Sequence, residues 1–169
     1  MKSQPPGRGP GAPGAGMRMG GREAGKPPPA LPADYLKQGY LEVRGDKCYE
    51  RRELIVEGAA QVADALSQAK MTTASLRRFF HQVRAIQHRL EASAQGGGGE
   101  GRDFRQAQAD LDRLLPLVAY AEGRGVVPRP FRRFLEENVK LARRDERHFT
   151  AFVRHFESVV AFMKERERR

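Results

Sequence analysis

The chain has 169 residues, with 31 Lys and Arg against 21 Asp and Glu, a formal net charge of +10 at neutral pH. That length accommodates one domain with a sizeable core and is short for two, and the basic excess favours polyanion partners, nucleic acid ahead of anionic membrane. The lone cysteine, Cys48, excludes an internal disulfide, no apolar run approaches the roughly 20 residues of a membrane helix, and the N-terminus lacks the apolar core of a secretory signal, so the expected location is cytoplasmic.

Residues 1–33 contain eight Gly and eight Pro and almost no large apolar side chain. Such a segment cannot offset its ordering entropy by burial and is expected to be a disordered tail. It carries Lys2, Arg8, Arg18, Arg22 and Lys26 against Glu23, hence +4, which leaves +6 for a single domain over 34–169. From Asp34 to Tyr49 periodicity is weak. Tyr35, Leu36, Tyr40, Leu41 and Val43, punctuated by Gly39 and Gly45, read as an extended lead-in that lays aromatic side chains on the domain. Arg44-Gly45-Asp46 spells an integrin tripeptide, which means little in a cytosolic chain.

Helical periodicity follows. Ile55, Ala59, Val62, Leu66 and Ala69 recur at three and four over about 52–70, with Gly58 and Ala59 leaving room for a close neighbour. Thr72 or Thr73 can cap the next helix through its hydroxyl oxygen. That helix carries Leu76, Phe79, Phe80, Val83, Ile86 and Leu90 to about Ala94, where Gly96–Gly99 form a surface loop. A third helix uses Phe104, Ala107, Leu111, Leu114, Leu115 and Val118, with a kink expected at Pro116. Gly123 and Gly125 end it, and Pro128 and Pro130 lead into a fourth with Phe131, Phe134, Leu135, Asn138 and Ala142 on one face. The fifth is the most regular: Phe149, Phe152, Val153, Phe156, Val160 and Met163. Five amphipathic helices, short loops and no convincing strand predict an all-α five-helix bundle behind a Pro/Gly-rich tail.

Catalytic constellations are missing from this pattern. His81 and His88, like His148 and His155, stand seven apart, about 10 Å along a helix. Zinc donors must lie about 2 Å from the metal, on neighbouring turns, so no metal site and no cofactor are expected. There is no GxSxG and no lysine-bearing phosphate loop. Glu136 and Glu137 diverge by about 100° and do not form an acid/base pair. Catalytic residues are not expected, and the chain does not read as an enzyme.

What stands out is a second stripe on the second helix. Arg77, His81, Arg84 and His88 align well over 100° from its apolar face, with Arg78 and Arg89 beside them and Glu91 the one carboxylate near its end. An ordinary solvent face interleaves acids for i,i+4 pairing; here they are absent, whereas the last two helices mix Arg with Glu and Asp. Such a stripe suits sequence-blind phosphate contact. The alternative, a DNA-reading helix-turn-helix, fits poorly: the linking turn is not the tight Gly-containing type, and Phe79 and Phe80 occupy the start of the would-be recognition helix.

The segments YLKQGYLEV, RRELIVEGAAQVADAL, TTASLRRFFHQVRAI, LLPLVAYAEGR and FVRHFESVVAF succeed one another in order. Together they resemble the small subunit of type III-A CRISPR effector complexes, the Csm-complex small subunit, from Tyr35 to Phe162; the type III-B small subunit is a close cousin. TTASLRRFF and LVAYAEGR are the most specific parts, while the tail and the Gly96–Gly99 insertion depart from the pattern. The resemblance implies a non-catalytic subunit of an RNA-guided antiviral complex, present in several copies. Its neighbours would be the repeating backbone subunit, the large subunit and other copies of itself, along the groove where guide RNA pairs with target RNA. Base pairing would read the sequence while the basic face touches the backbone. Arg77 and Arg78 fall on the family's basic positions in TTASLRRFF, and Arg124 on the last arginine of LVAYAEGR. His81, Arg84 and His88 join them as nucleic-acid-binding candidates by helical geometry.

Overall fold

The computed structural model describes residues 29–95 and 100–168. Most of the expected tail and the Gly96–Gly99 loop lie outside these residues. The elements in order are β1 (Leu41–Arg44), β2 (Lys47–Glu50), α1 (Ala59–Gln68), α2 (Thr73–Gln95), α3 (Glu100–Gly123), α4 (Arg129–Ala142) and α5 (Glu146–Arg166). The five-helix expectation holds, and helix α3 runs unbroken through Pro116.

Helices α2 to α5 form a ring in which α2 packs on α3 and α5, and α4 packs on the same two. Each successive pair runs antiparallel. Arg89 meets Asp110 across α2 and α3, Arg132 meets Glu122 across α3 and α4, and Phe134 meets Phe152 across α4 and α5. The diagonal helices α2 and α4 touch through the core, where Phe79 lies edge-on to Phe131 at 5.1 Å. Phe131, Phe134, Phe152 and Phe156 fill the centre and are almost wholly buried, their rings tilted or offset as aromatic quadrupoles prefer. Helix α1 packs mainly on α5, and the two run parallel: Leu54, Asp64 on one side meet His155, Arg166 on the other.

Helix ends follow their capping chemistry. Thr72 Oγ1 accepts from Ser75 N–H at 3.2 Å to open α2, and Asp145 Oδ1 accepts from His148 N–H at 2.9 Å to open α5. Helix α1 closes in a Schellman turn, with Met71 N–H bonded to Leu66 O and Lys70 N–H to Ser67 O. Lys70 takes the left-handed conformation there, φ 61°, and Met71 is buried just beyond it.

Three features depart from expectation. The first predicted helix carries a π turn, Leu54–Gly58, close to its start and continues as α-helix from Ala59. Gly58 belongs there because a Cβ would sit 3.3 Å from both the Glu53 carbonyl oxygen and Leu54 Cδ2. The lead-in, expected without strands, forms an antiparallel hairpin in which Arg44 pairs with Lys47. Gly45-Asp46 is its two-residue turn, and Gly45 at φ +62° supplies the positive dihedral such a turn needs at its first position. Finally, packing starts before Asp34. Leu31 is 4% exposed and belongs to the core.

Tyr35 and Tyr40 of the lead-in are buried, and their hydroxyls enter a polar chain inside the bundle. His155 Nδ1 lies 2.7 Å from Leu54 O; a carbonyl only accepts, so Nδ1 carries the proton. Nε2 therefore accepts from the Tyr35 hydroxyl at 2.9 Å. Tyr35 in turn accepts from Asn138 Nδ2 at 2.7 Å, and Tyr40 donates to Asn138 Oδ1. Tyr35, Tyr40, Asn138 and His155 each find a hydrogen-bond partner there, as burial demands. Burial also pushes both phenols up and holds the His155 imidazole down at about 4, although its bond to Leu54 O acts the other way.

Candidate nucleic-acid interface

The stripe on α2 faces away from the core because the helix buries Leu76, Phe79, Val83, Ile86 and Leu90 on its other side. Its two halves differ. Within its first three turns, Arg77, Arg78 and His81 are exposed, and Glu167 at the end of α5 lies within electrostatic reach of Arg77. Further along, Arg84 is half-buried and donates to Gln87 Oε1 at 2.8 Å, and Gln87 donates to Glu91 at 2.8 Å. His88 Nδ1 lies 3.6 Å from the same Glu91 carboxylate. Glu91 therefore draws on Arg84, through Gln87, and on His88, while the N-terminal half of the stripe stays open.

Arg124 reaches this end of the molecule through the α2–α3 hairpin. Arg89 Nη2 lies 2.9 Å from Asp110 Oδ2. Fourteen residues on from Asp110 and fourteen back from Arg89, about 21 Å along each axis, Arg124 comes level with Ser75. Its guanidinium sits 5.7 Å from the Tyr120 ring centre, and Tyr120 is 66% exposed. A cation over an exposed aromatic face is a surface on which a base or a ribose can rest. Arg77, Arg78, His81 and Arg124 thus share one end of the bundle. Arg84 and His88 extend the stripe but are already engaged, and Arg89 shares Asp110 with Arg113.

Contrast with the other arginines sharpens the pattern. Arg113, Arg132, Arg143, Arg154 and Arg166 each hold a carboxylate within 3.1 Å. The mixed acids and bases of the last two helices are therefore partly a salt-paired face, as their composition indicates. A second group of cations escapes that pairing and is not visible as a stripe in the sequence: Arg133 and Lys140 on α4, Arg144 just past its end, and Lys37 from the lead-in. Glu136 and Glu137 interrupt them in the chain, but Glu136 turns toward Arg132, 2.7 Å away.

The helix-turn-helix alternative needs α1 packed on α2 with the start of α2 free to enter a groove. Instead α1 lies on α5, and Phe79 is locked against Phe131. Among the described residues no group of three or more His, Cys, Asp or Glu could hold a metal ion, and no helix is long and apolar enough to cross a membrane.

Comparison with curated proteins and with solved structures finds no match. The family model described as Csm2 Type III-A matches residues 49–169, which include all of α1 to α5 and every candidate residue of the α2 stripe. The chain belongs to the Csm2 Type III-A family, the small subunits of type III-A CRISPR effector complexes.

Proposed function

We propose that this small subunit is non-catalytic and contacts the ribose-phosphate backbone of the guide RNA–target RNA duplex through the first turns of α2 and Arg124, without reading sequence. The observation that carries this reading is the exposed, open set Arg77, Arg78 and His81 on a helix whose other face is core. Cations on a rigid helix can follow a phosphate backbone, and such contacts position a protein without carrying base information. Phe79 lies inside the bundle, so the helix cannot turn that face toward a groove. The partners are the guide and target RNA, the repeating backbone subunit, the large subunit and further copies of this chain, within a cytoplasmic antiviral complex. Several weak faces along one duplex would reach useful affinity by multivalency.

The test is RNA binding by the assembled complex over a salt series after Arg77→Ala, Arg78→Ala and Arg124→Ala are combined. Three lost phosphate contacts flatten the slope of log affinity against log salt by roughly 2 per subunit, equally for unrelated RNA sequences. A variant complex with the wild-type slope overturns the reading, as does a loss confined to one RNA sequence.

A further inference from the structure

On the side of the bundle opposite the α2 stripe, the turn at 33–39 and the outer face of α4 enclose a groove of about 420 Å³. Lys37 stands on one wall and Arg133, Lys140 and Arg144 on the other, with Glu137 the one carboxylate lining it. All four cations are exposed. On α4 Arg133, Glu137 and Lys140 fall within about 60° of one another around the helix, pointing away from buried Phe134, Leu135 and Asn138, and Arg144 follows just beyond the helix end. Other acids nearby are Glu122 and Glu136, paired with Arg132, Asp112, paired with Arg143, and Asp34, which is in the same turn but does not line the groove.

Helix electrostatics account for part of this set only. Lys140 and Arg144 complement the C-terminal end of α4, but Arg133 lies near its N-terminal end, where the helix dipole opposes a cation. Lys37 is on no helix. The shape is also wrong for a single small anion, because seven residues separate Arg133 from Lys140, about 10 Å. Cations so spaced can meet successive phosphates along one strand, whereas a single phosphate cannot reach both. The groove lies away from the proposed duplex face because α2 and α4 are diagonal in the helical ring and meet only through the core, at Phe79 and Phe131.

We propose that this groove is a second nucleic-acid site, which takes the phosphate backbone of a single RNA strand while the α2 face is occupied. The choice of RNA as the polyanion rests on the function proposed above. One subunit then holds two stretches of nucleic acid on opposite sides, and the second stretch is bound by charge and width rather than by base identity.

The experiment uses the full-length free protein and a dye-labelled polyuridylate oligomer of about 20 nucleotides, with anisotropy read from 50 to 200 mM salt. Lys37→Gln, Arg133→Gln and Lys140→Gln together should flatten the salt slope by about 2, at roughly 0.7 per single-strand contact. The wild-type fall in affinity over that salt range then shrinks about 20-fold. Lys140→Gln alone, expected to flatten the slope by about 0.7, serves if the triple variant is unstable. Combining the groove changes with the three α2-face substitutions should weaken binding beyond either set. A groove variant with the wild-type slope overturns the second site, and loss in the α2 variant at the same time leaves the proposed function standing. Loss in the groove variant with an unchanged α2 variant supports the groove and refutes the duplex face. A groove variant that binds RNA normally but no longer enters the effector complex identifies an acidic protein partner instead and overturns the proposal.

Discussion

Acid should destabilise this protein through one imidazole. His155 is buried, donates from Nδ1 to Leu54 O and accepts the Tyr35 hydroxyl at Nε2, so both ring nitrogens are engaged in the neutral form. Protonating Nε2 would place two donors face to face and put a charge among Tyr35, Tyr40, Asn138 and Phe134, none of which can balance it. Folded, the imidazole titrates at about 4 against an ordinary 6.5. The unfolded chain therefore binds more protons between those values, and stability rises with pH across the window. The contribution is complete above pH 6.5, is lost progressively as the pH falls, and is gone near 4. A gap of that width corresponds to about 3 kcal/mol at 1.36 kcal/mol per pH unit, a large part of the 5–15 kcal/mol typical of a domain. Urea unfolding at a series of pH values, for the wild type and for His155→Asn, measures it. Asparagine can still donate to Leu54 O but does not titrate, so the variant should be weaker at pH 7.5 and flatter between 6.5 and 4. Parallel losses in the two proteins, or a folded-state His155 resonance titrating near 6.5, would refute the assignment.

Two further outcomes follow from burial. A chain starting at Asp34 should lose about 1.5–3 kcal/mol with the Leu31 side chain, whereas one starting at Pro29 should melt like the full length; equal melting of all three would show that Leu31 packs without consequence. Phe79→Ala should cost about 3–5 kcal/mol through a core cavity, while Arg77→Ala and Arg78→Ala should each stay within about 0.5 kcal/mol. Thermal or urea melts of the free subunit separate the two classes, and an arginine change as damaging as the phenylalanine change would make the stripe structural.

Much of the bundle was legible because each helix pairs a three-four apolar repeat with a marked stop. Thr72, Asp145, Gly123 and the Pro128–Pro130 pair do their work locally, and local signals survive in a bare sequence. The hairpin also leaves a local trace. Leu41-Glu42-Val43-Arg44 alternates with period two, and Gly-Asp is a recognised two-residue turn, but strands of four residues are too short for alternation to stand out from chance. Non-local features left no such trace. Tyr35 and His155 are 120 residues apart, and nothing in their spacing shows that they meet. The π turn at Leu54–Gly58 looks like ordinary helix by periodicity, and its carbonyl is claimed by a residue on the last helix. Of the candidate stripe, Arg77, His81 and His88 are exposed and Arg84 is half-buried. The engagement of Arg84 and His88 with Gln87 and Glu91 depended on rotamers that a helical wheel does not contain, and the α4 cations were masked by acids whose partners lie on other turns.

The parallel pairing of α1 with α5 has a consequence for how the chain is made. Helices α2, α3 and α4 can zip into antiparallel hairpins as they leave the ribosome, each on the neighbour just synthesised. Helix α1 has no such neighbour. Its main partner is the last helix, and the contact from Asp64 to Arg166 spans 102 residues. At about 5–20 residues per second, Val62 and Leu66, fully buried at the end, wait on the order of 5–20 s for α5 to appear. During that interval the nascent chain displays an apolar helix next to an open hairpin edge, a target for holdase chaperones and for sister chains on the same message. A message broken before the codons of α5 would leave that helix exposed for good.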